Sequence, residues 1–99
     1  MLSSKERAYL LSLSVKLESQ NTIGKEGFSE KVSKDISDSL RSHELVKVKV
    51  LETAPLGVKE LAIEAAEKLD AEVVKIIGKK FILYKRNPQN QKIFFGVGK

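Results

Sequence analysis

Gly24-Lys25-Glu26-Gly27 is the first place in the chain where residue type and spacing suit a specific chemistry. Two glycines three residues apart let backbone approach a phosphate closely, and a helix that starts just beyond them offers free N–H donors. The same pair also makes an ordinary tight turn. Neither GxxxxGK[ST] nor GxGxxG occurs, so nucleotide-dependent chemistry is not expected. Further along, Lys47 and Lys49 alternate with Val46, Val48 and Val50, which points two ammonium groups to one side of a strand and three valines to the other. That basic side is either a solvated strand face or part of a phosphate-holding surface. Alternation predicts that removing both lysine side chains leaves stability nearly unchanged. Gly78-Lys79-Lys80 and Lys85-Arg86 carry four more cations able to extend the positive surface, and Lys75 a fifth, though sequence leaves the sheet face of each open. Tyr84 could stack a base, but an aromatic in a strand is more often core.

Other chemistries find little to work with. One histidine, no cysteine and no repeated His/Asp/Glu spacing leave no recognisable metal set or nucleophilic triad, and no cofactor is expected. His43, at the join of a helix and a strand, reads as a structural hydrogen-bonding residue before an RNA contact. The 18 Lys and Arg outnumber the 13 Asp and Glu, for a net charge of +5. The excess is localised: residues 1 to 72 hold 11 basic and 13 acidic residues, whereas residues 73 to 99 hold 7 basic and no acidic ones. A polyanionic partner fits this distribution, as does a merely solubilising C-terminal region.

The elements that must position these residues follow from periodicity. Ser3 and Glu6 form a capping-box pattern opening a helix to about Glu18, with Leu10, Leu13 and Leu17 on one face and Tyr9 beside them. Thr22-Ile23 is a short strand entering the glycine loop. Ser29 caps a second helix over about 30 to 42, with the thin apolar row Val32, Ile36 and Leu40. Residues 44 to 51 are a strand, broken by Ala54-Pro55-Leu56-Gly57. Val58, Leu61, Ala62, Ala65, Ala66 and Leu69 then trace a third helix. Residues 71 to 77 and 81 to 86 form a hairpin about Gly78-Lys79-Lys80, ended by Asn87 to Gln91. The fold class is α/β: an α-β-α-β-α-β-β sandwich of three helices and a four-stranded mixed sheet. At 99 residues, 41% of them hydrophobic, the chain suits one domain. No stretch is long and apolar enough for a membrane span, and the N-terminus does not resemble a signal peptide, so a cytoplasmic protein is expected.

Three segments in register, IGKEG before a helix, HELVKVKVL about twenty residues on, and VVKIIGKKFILYKRNP after the third helix, resemble the CRM domain family, in particular its bacterial YhbY-like members. The resemblance covers roughly residues 2 to 93, leaving 94 to 99 as a tail. It implies a fold similar to the C-terminal domain of the bacterial third translation initiation factor. It also implies RNA binding linked to maturation of the large ribosomal subunit, with precursor rRNA and the ribosomal particle as partners; beside it, the absence of a catalytic residue set leads to the expectation of a non-catalytic protein, and no DNA partner and a monomer are expected. The family's GxxG loop corresponds to Gly24, Lys25, Glu26 and Gly27, and its HELIKV segment to His43 through Val48. The RNA-contact set expected is that loop with Lys31, Lys47, Lys49, Lys79, Lys80, Lys85 and Arg86. Glu26 places an acid where relatives commonly carry a neutral residue, and the first helix is less basic than usual. The segment from Ile93 to Lys99, with Phe94 and Phe95, lacks the family's Pro-containing tail. The competing expectation is an adaptor that docks on a ribosomal protein or assembly factor through Phe94 and Phe95 or through the thin second-helix face.

Overall fold

The computed structural model describes residues 2–87, and its seven elements run α-β-α-β-α-β-β as the periodicity predicts. They are α1 (Ser4–Ser14), β1 (Asn21–Ile23), α2 (Glu30–His43), β2 (Leu45–Val50), α3 (Val58–Leu69), β3 (Glu72–Ile77) and β4 (Lys80–Tyr84). The strands form one sheet in the order β1-β2-β4-β3, with β1 parallel to β2 and the other pairings antiparallel. Gly78, at φ 58°, makes the two-residue hairpin turn possible, because the first turn residue needs positive φ. The expected hairpin end at Pro88 to Gln91 and the tail from Ile93 onward lie outside the described residues.

Alternation along the strands divides the core in two. Ile23, Val46, Val48, Val50, Phe81 and Leu83 face α2 and α3, where Ile36, Leu40, Leu61, Ala62 and Ala65 complete the larger cluster. The row expected for α2 is therefore spent inside the protein: Ile36 and Leu40 are buried and Val32 packs against them. Leu45, Val74, Ile82 and Tyr84 point the other way, under Leu10 of α1. Burial and the nearby Glu44 carboxylate push the Tyr84 hydroxyl above its ordinary pKa of 10.0, as expected of an aromatic serving as core.

The first helix departs from expectation. It stops at Ser14 instead of about Glu18, and Leu13 and Tyr9 lie exposed, so that Leu10 is the one apolar side chain of the helix that is fully buried, with Leu11 and Leu17 packed partly against its cluster. Side-chain competition explains the early stop: the Ser12 hydroxyl donates to Tyr9 O at 2.6 Å and the Ser14 hydroxyl to Leu11 O at 2.7 Å, bonds that weaken a helix end. With so thin an apolar face, α1 is fastened by polar contacts. Val73 and Lys75 flank a β-bulge on edge strand β3, and the Arg7 guanidinium donates to Val73 O and, at 3.2 Å, to Val74 O. The bulge thus exposes carbonyl oxygens and Arg7 satisfies them.

Candidate nucleic-acid interface

The sheet has two ends, and they divide the basic residues. At the end where β1 and β2 finish lie the Gly24–Gly27 loop, the start of α2, the 51–57 loop and the β3–β4 turn. Lys25, Lys31, Lys49, Lys79 and Lys80 gather here from four separate stretches of chain, all exposed. At the other end, where β2 begins, β4 delivers Lys85 and Arg86 beside the ends of α2 and α3. Strands of five or six residues separate the two groups by roughly 17 Å. The sequence-predicted set is therefore not one surface.

Gly24 O accepts from Gly27 N–H at 2.9 Å, closing a four-residue turn whose tip, Lys25 and Glu26, is exposed. The glycines have different reasons to be there. Gly27 is buried at φ 68°, and a Cβ on it would sit 3.1 Å from Pro55 Cγ, so the fold itself demands glycine. Gly24 has no positive φ, and a Cβ there would meet Leu51 Cδ1 at an ordinary 3.5 Å. The fold therefore tolerates a side chain at Gly24.

Ser29 caps α2 by accepting Val32 N–H at 3.2 Å, and its carbonyl accepts from Ser33 N–H. The N–H groups of Lys25, Glu26, Glu30 and Lys31 have no acceptor among the described residues. Four unspent donors beside a helix N-terminus make a place for anionic oxygens. The lysines around them differ in readiness. Lys31 pairs with Asp35 at 3.4 Å and Lys79 with Glu52 at 2.9 Å, both in open solvent where such pairs are weak and exchangeable. The hydrogen bond and charge of Lys79 hold the Glu52 carboxyl below its ordinary pKa. Lys25, Lys49 and Lys80 have no carboxylate partner among the described residues.

Three members of the predicted set stand apart from this loop. Lys47, expected on an open basic face, is half-buried, and its ammonium donates to Ser14 O and Leu17 O, each at 3.2 Å. It closes the C-terminal end of α1, so it is not the free surface cation that alternation suggests. Lys85 does the same for α3, donating to Leu69 O at 2.9 Å, with Arg86 exposed beside it at the far end. There Glu44, fully buried at φ 66°, holds the chain after β4 by accepting Asn87 N–H at 2.6 Å and, through its carbonyl, Lys85 N–H at 2.9 Å. His43 is exposed at the last residue of α2 and makes no hydrogen bond through its ring among the described residues, against the structural role expected. Lys75, left open by the sequence, lies on the α1 side of the sheet, because the bulge shifts alternation by one residue and sets it opposite Ile82.

The arrangement has relatives. The chain is 29% identical over 93 residues to Probable RNA-binding protein YqeI of Bacillus subtilis, an alignment covering 94% of this chain and 97% of that one. It is 35% identical to an RNA-binding protein of Haemophilus influenzae, with 85% of each chain covered. It is 37% identical to Probable RNA-binding protein MJ0652 of Methanocaldococcus jannaschii, covering 85% of this chain but 63% of that longer one. Among solved structures, SAV1595 of Staphylococcus aureus superposes with a TM-score of 0.79 at 36% identity, covering 95% of this chain and 98% of that one. The CRS1 / YhbY (CRM) domain profile matches residues 2–85, a span that takes in the glycine loop, all three helices and the whole sheet. By sequence, element order and fold, the chain belongs to the CRS1/YhbY (CRM) domain family.

Proposed function

We propose that the protein binds RNA without catalysing a reaction, holds the sugar-phosphate backbone at the glycine-loop end of its sheet, and acts on precursor rRNA of the large ribosomal subunit in the cytoplasm. The observation that carries the RNA reading is the group of unspent N–H donors at Lys25, Glu26, Glu30 and Lys31, ringed by exposed lysines. Backbone donors and point charges recognise phosphate geometry and charge, not base identity, so sequence preference should be low. The names of the relatives support RNA as the ligand. The step to the large-subunit precursor rests on the family resemblance. The adaptor alternative loses one of its two surfaces, since the α2 row is inside the core, and the other lies outside the described residues.

Cells expressing a tagged chain test the proposal. After ultraviolet crosslinking, the recovered RNA should be enriched in large-subunit precursor sequence, and nuclease treatment should release the ribosomal particles from the captured protein. Particles that stay bound after nuclease, with no crosslinked rRNA, would establish a protein contact instead.

A further inference from the structure

The sheet face that carries α1 is only half covered. Helix α1 starts over the beginning of β3, where Leu2 N–H donates to Glu72 Oε1 at 3.3 Å, and ends at Lys47 in the middle of β2. Beyond it, toward the glycine loop, one row crosses all four strands: Thr22 beside Lys49, Lys49 opposite Lys80, and Lys80 opposite Ile77. All four residues are exposed, and Ile77 shows 49% of its surface to solvent. Lys75 joins them from the neighbouring row because the bulge turns it to this face.

Two features of the row suit a polyanionic ligand. Directly opposed residues on antiparallel strands have Cβ atoms about 5 Å apart, and like charges there repel. Lys49 and Lys80 are so placed, and no carboxylate among the described residues compensates either of them; the nearby Glu52 is held by Lys79. Lys75 adds a third cation without an anionic partner among the described residues. Ile77 lies among these charges with about half of its surface open, an apolar place beside the cations on which a base or ribose can rest. Alternating ammonium groups and apolar surface match a nucleic acid strand whose bases are free, since a duplex turns its base faces inward. Thr22 lies two residues before Gly24, so the row begins where the loop grips.

Resting on the RNA reading above, we infer that this open half-sheet is a second contact that takes single-stranded RNA as it leaves the loop. Phosphates lie on Lys49, Lys75 and Lys80, and a base or ribose lies on Ile77.

Anisotropy titrations of the full chain with a labelled oligouridylate, and with its duplex with oligoadenylate, test this at several salt concentrations. The parent should prefer the single strand. Lys75→Ala with Lys80→Ala should weaken single-strand binding roughly tenfold and reduce the slope of log K against log salt by about 1.4, at about 0.7 per lost phosphate contact. Ile77→Thr keeps a β-branched strand residue, and should weaken single-strand binding severalfold with the salt slope unchanged. Melting curves confirm that each variant folds, and Gly24→Asp serves as the loop control. Equal affinity for duplex and single strand, or parent-like binding by both sheet variants while Gly24→Asp is impaired, would overturn the half-sheet inference and leave the loop reading intact. A parent that binds neither RNA form would overturn both.

Discussion

Gly24 and Gly27 occupy equivalent places in the loop motif, but the structure assigns them different work, and substitution should separate them. Gly27→Asp is expected to destabilise the protein by about 1–3 kcal/mol, because a non-glycine residue is forced to positive φ; the Pro55 contact adds to that. Gly24→Asp should melt like the parent and bind RNA much more weakly, since it adds bulk and a negative charge to the loop. Melting and binding measured side by side check both. Glu26 sits exposed at the loop tip, where a carboxylate repels a phosphate held by the loop, so Glu26→Lys should tighten binding, most visibly at low salt. Lys47 and Lys49, neighbours in one strand, should also part company. Lys47→Ala removes two hydrogen bonds, to Ser14 O at the helix end and to Leu17 O just beyond it, and should cost about 1–2 kcal/mol in a denaturant titration, whereas Lys49→Ala, which relieves the repulsion from Lys80, should keep or slightly raise stability and weaken RNA binding.

Among the elements, α1 is the one whose attachment the sequence conceals. Periodicity sufficed for α2, α3 and β2, because Val46, Val48 and Val50 or Leu61, Ala62 and Ala65 repeat at the spacing of a buried face, while β-rich composition and the Gly78 turn marked the hairpin. For α1 the leucines suggest a face that the structure only partly uses, since the helix is held by Arg7 on the bulge carbonyls and by Lys47 on its last turn. A guanidinium bridging 66 residues of sequence to Val73 leaves no local pattern to recognise. The bulge is equally silent: Val73-Val74-Lys75-Ile76-Ile77 alternates no differently for containing it, yet it decides which face Lys75 occupies. The candidate site was legible as a loop motif and a list of cations, but not as two ends, because the division depends on strand direction and order. Arg7→Ala should therefore loosen α1 selectively. Hydrogen exchange is expected to accelerate in Tyr9 to Ser14 while β2 and β4 stay protected, and global stability should fall by about 1–3 kcal/mol. Uniform protection across α1 in that variant would show that Leu10 and its neighbours suffice to hold it.

At the scale of the whole molecule, net charge is a poor guide to where a polyanion rests. Acidic residues are absent from residue 73 onward, yet Lys85 is engaged on α3, and the exposed lysines nearest the unspent backbone donors come from both halves of the chain. Five lysines at the loop end, Lys25, Lys31, Lys49, Lys79 and Lys80, set the size of the electrostatic response. Four or five phosphate contacts to single-stranded RNA should give a slope of about −3 in log affinity against log salt. An affinity indifferent to salt would mean that these lysines are not the contact. Location is tested most directly by amide chemical-shift mapping of the labelled protein during titration with a precursor-rRNA oligonucleotide at fixed low salt. The largest shifts are expected at Lys25, Glu26, Glu30 and Lys31, with further shifts through Lys49 and Lys75 to Lys80, and little change at Arg41 to Leu45 or Lys85 to Asn87. Shifts concentrated at those last two segments, with the loop amides unmoved, would instead place the RNA at the opposite end of the sheet and refute binding at the glycine loop.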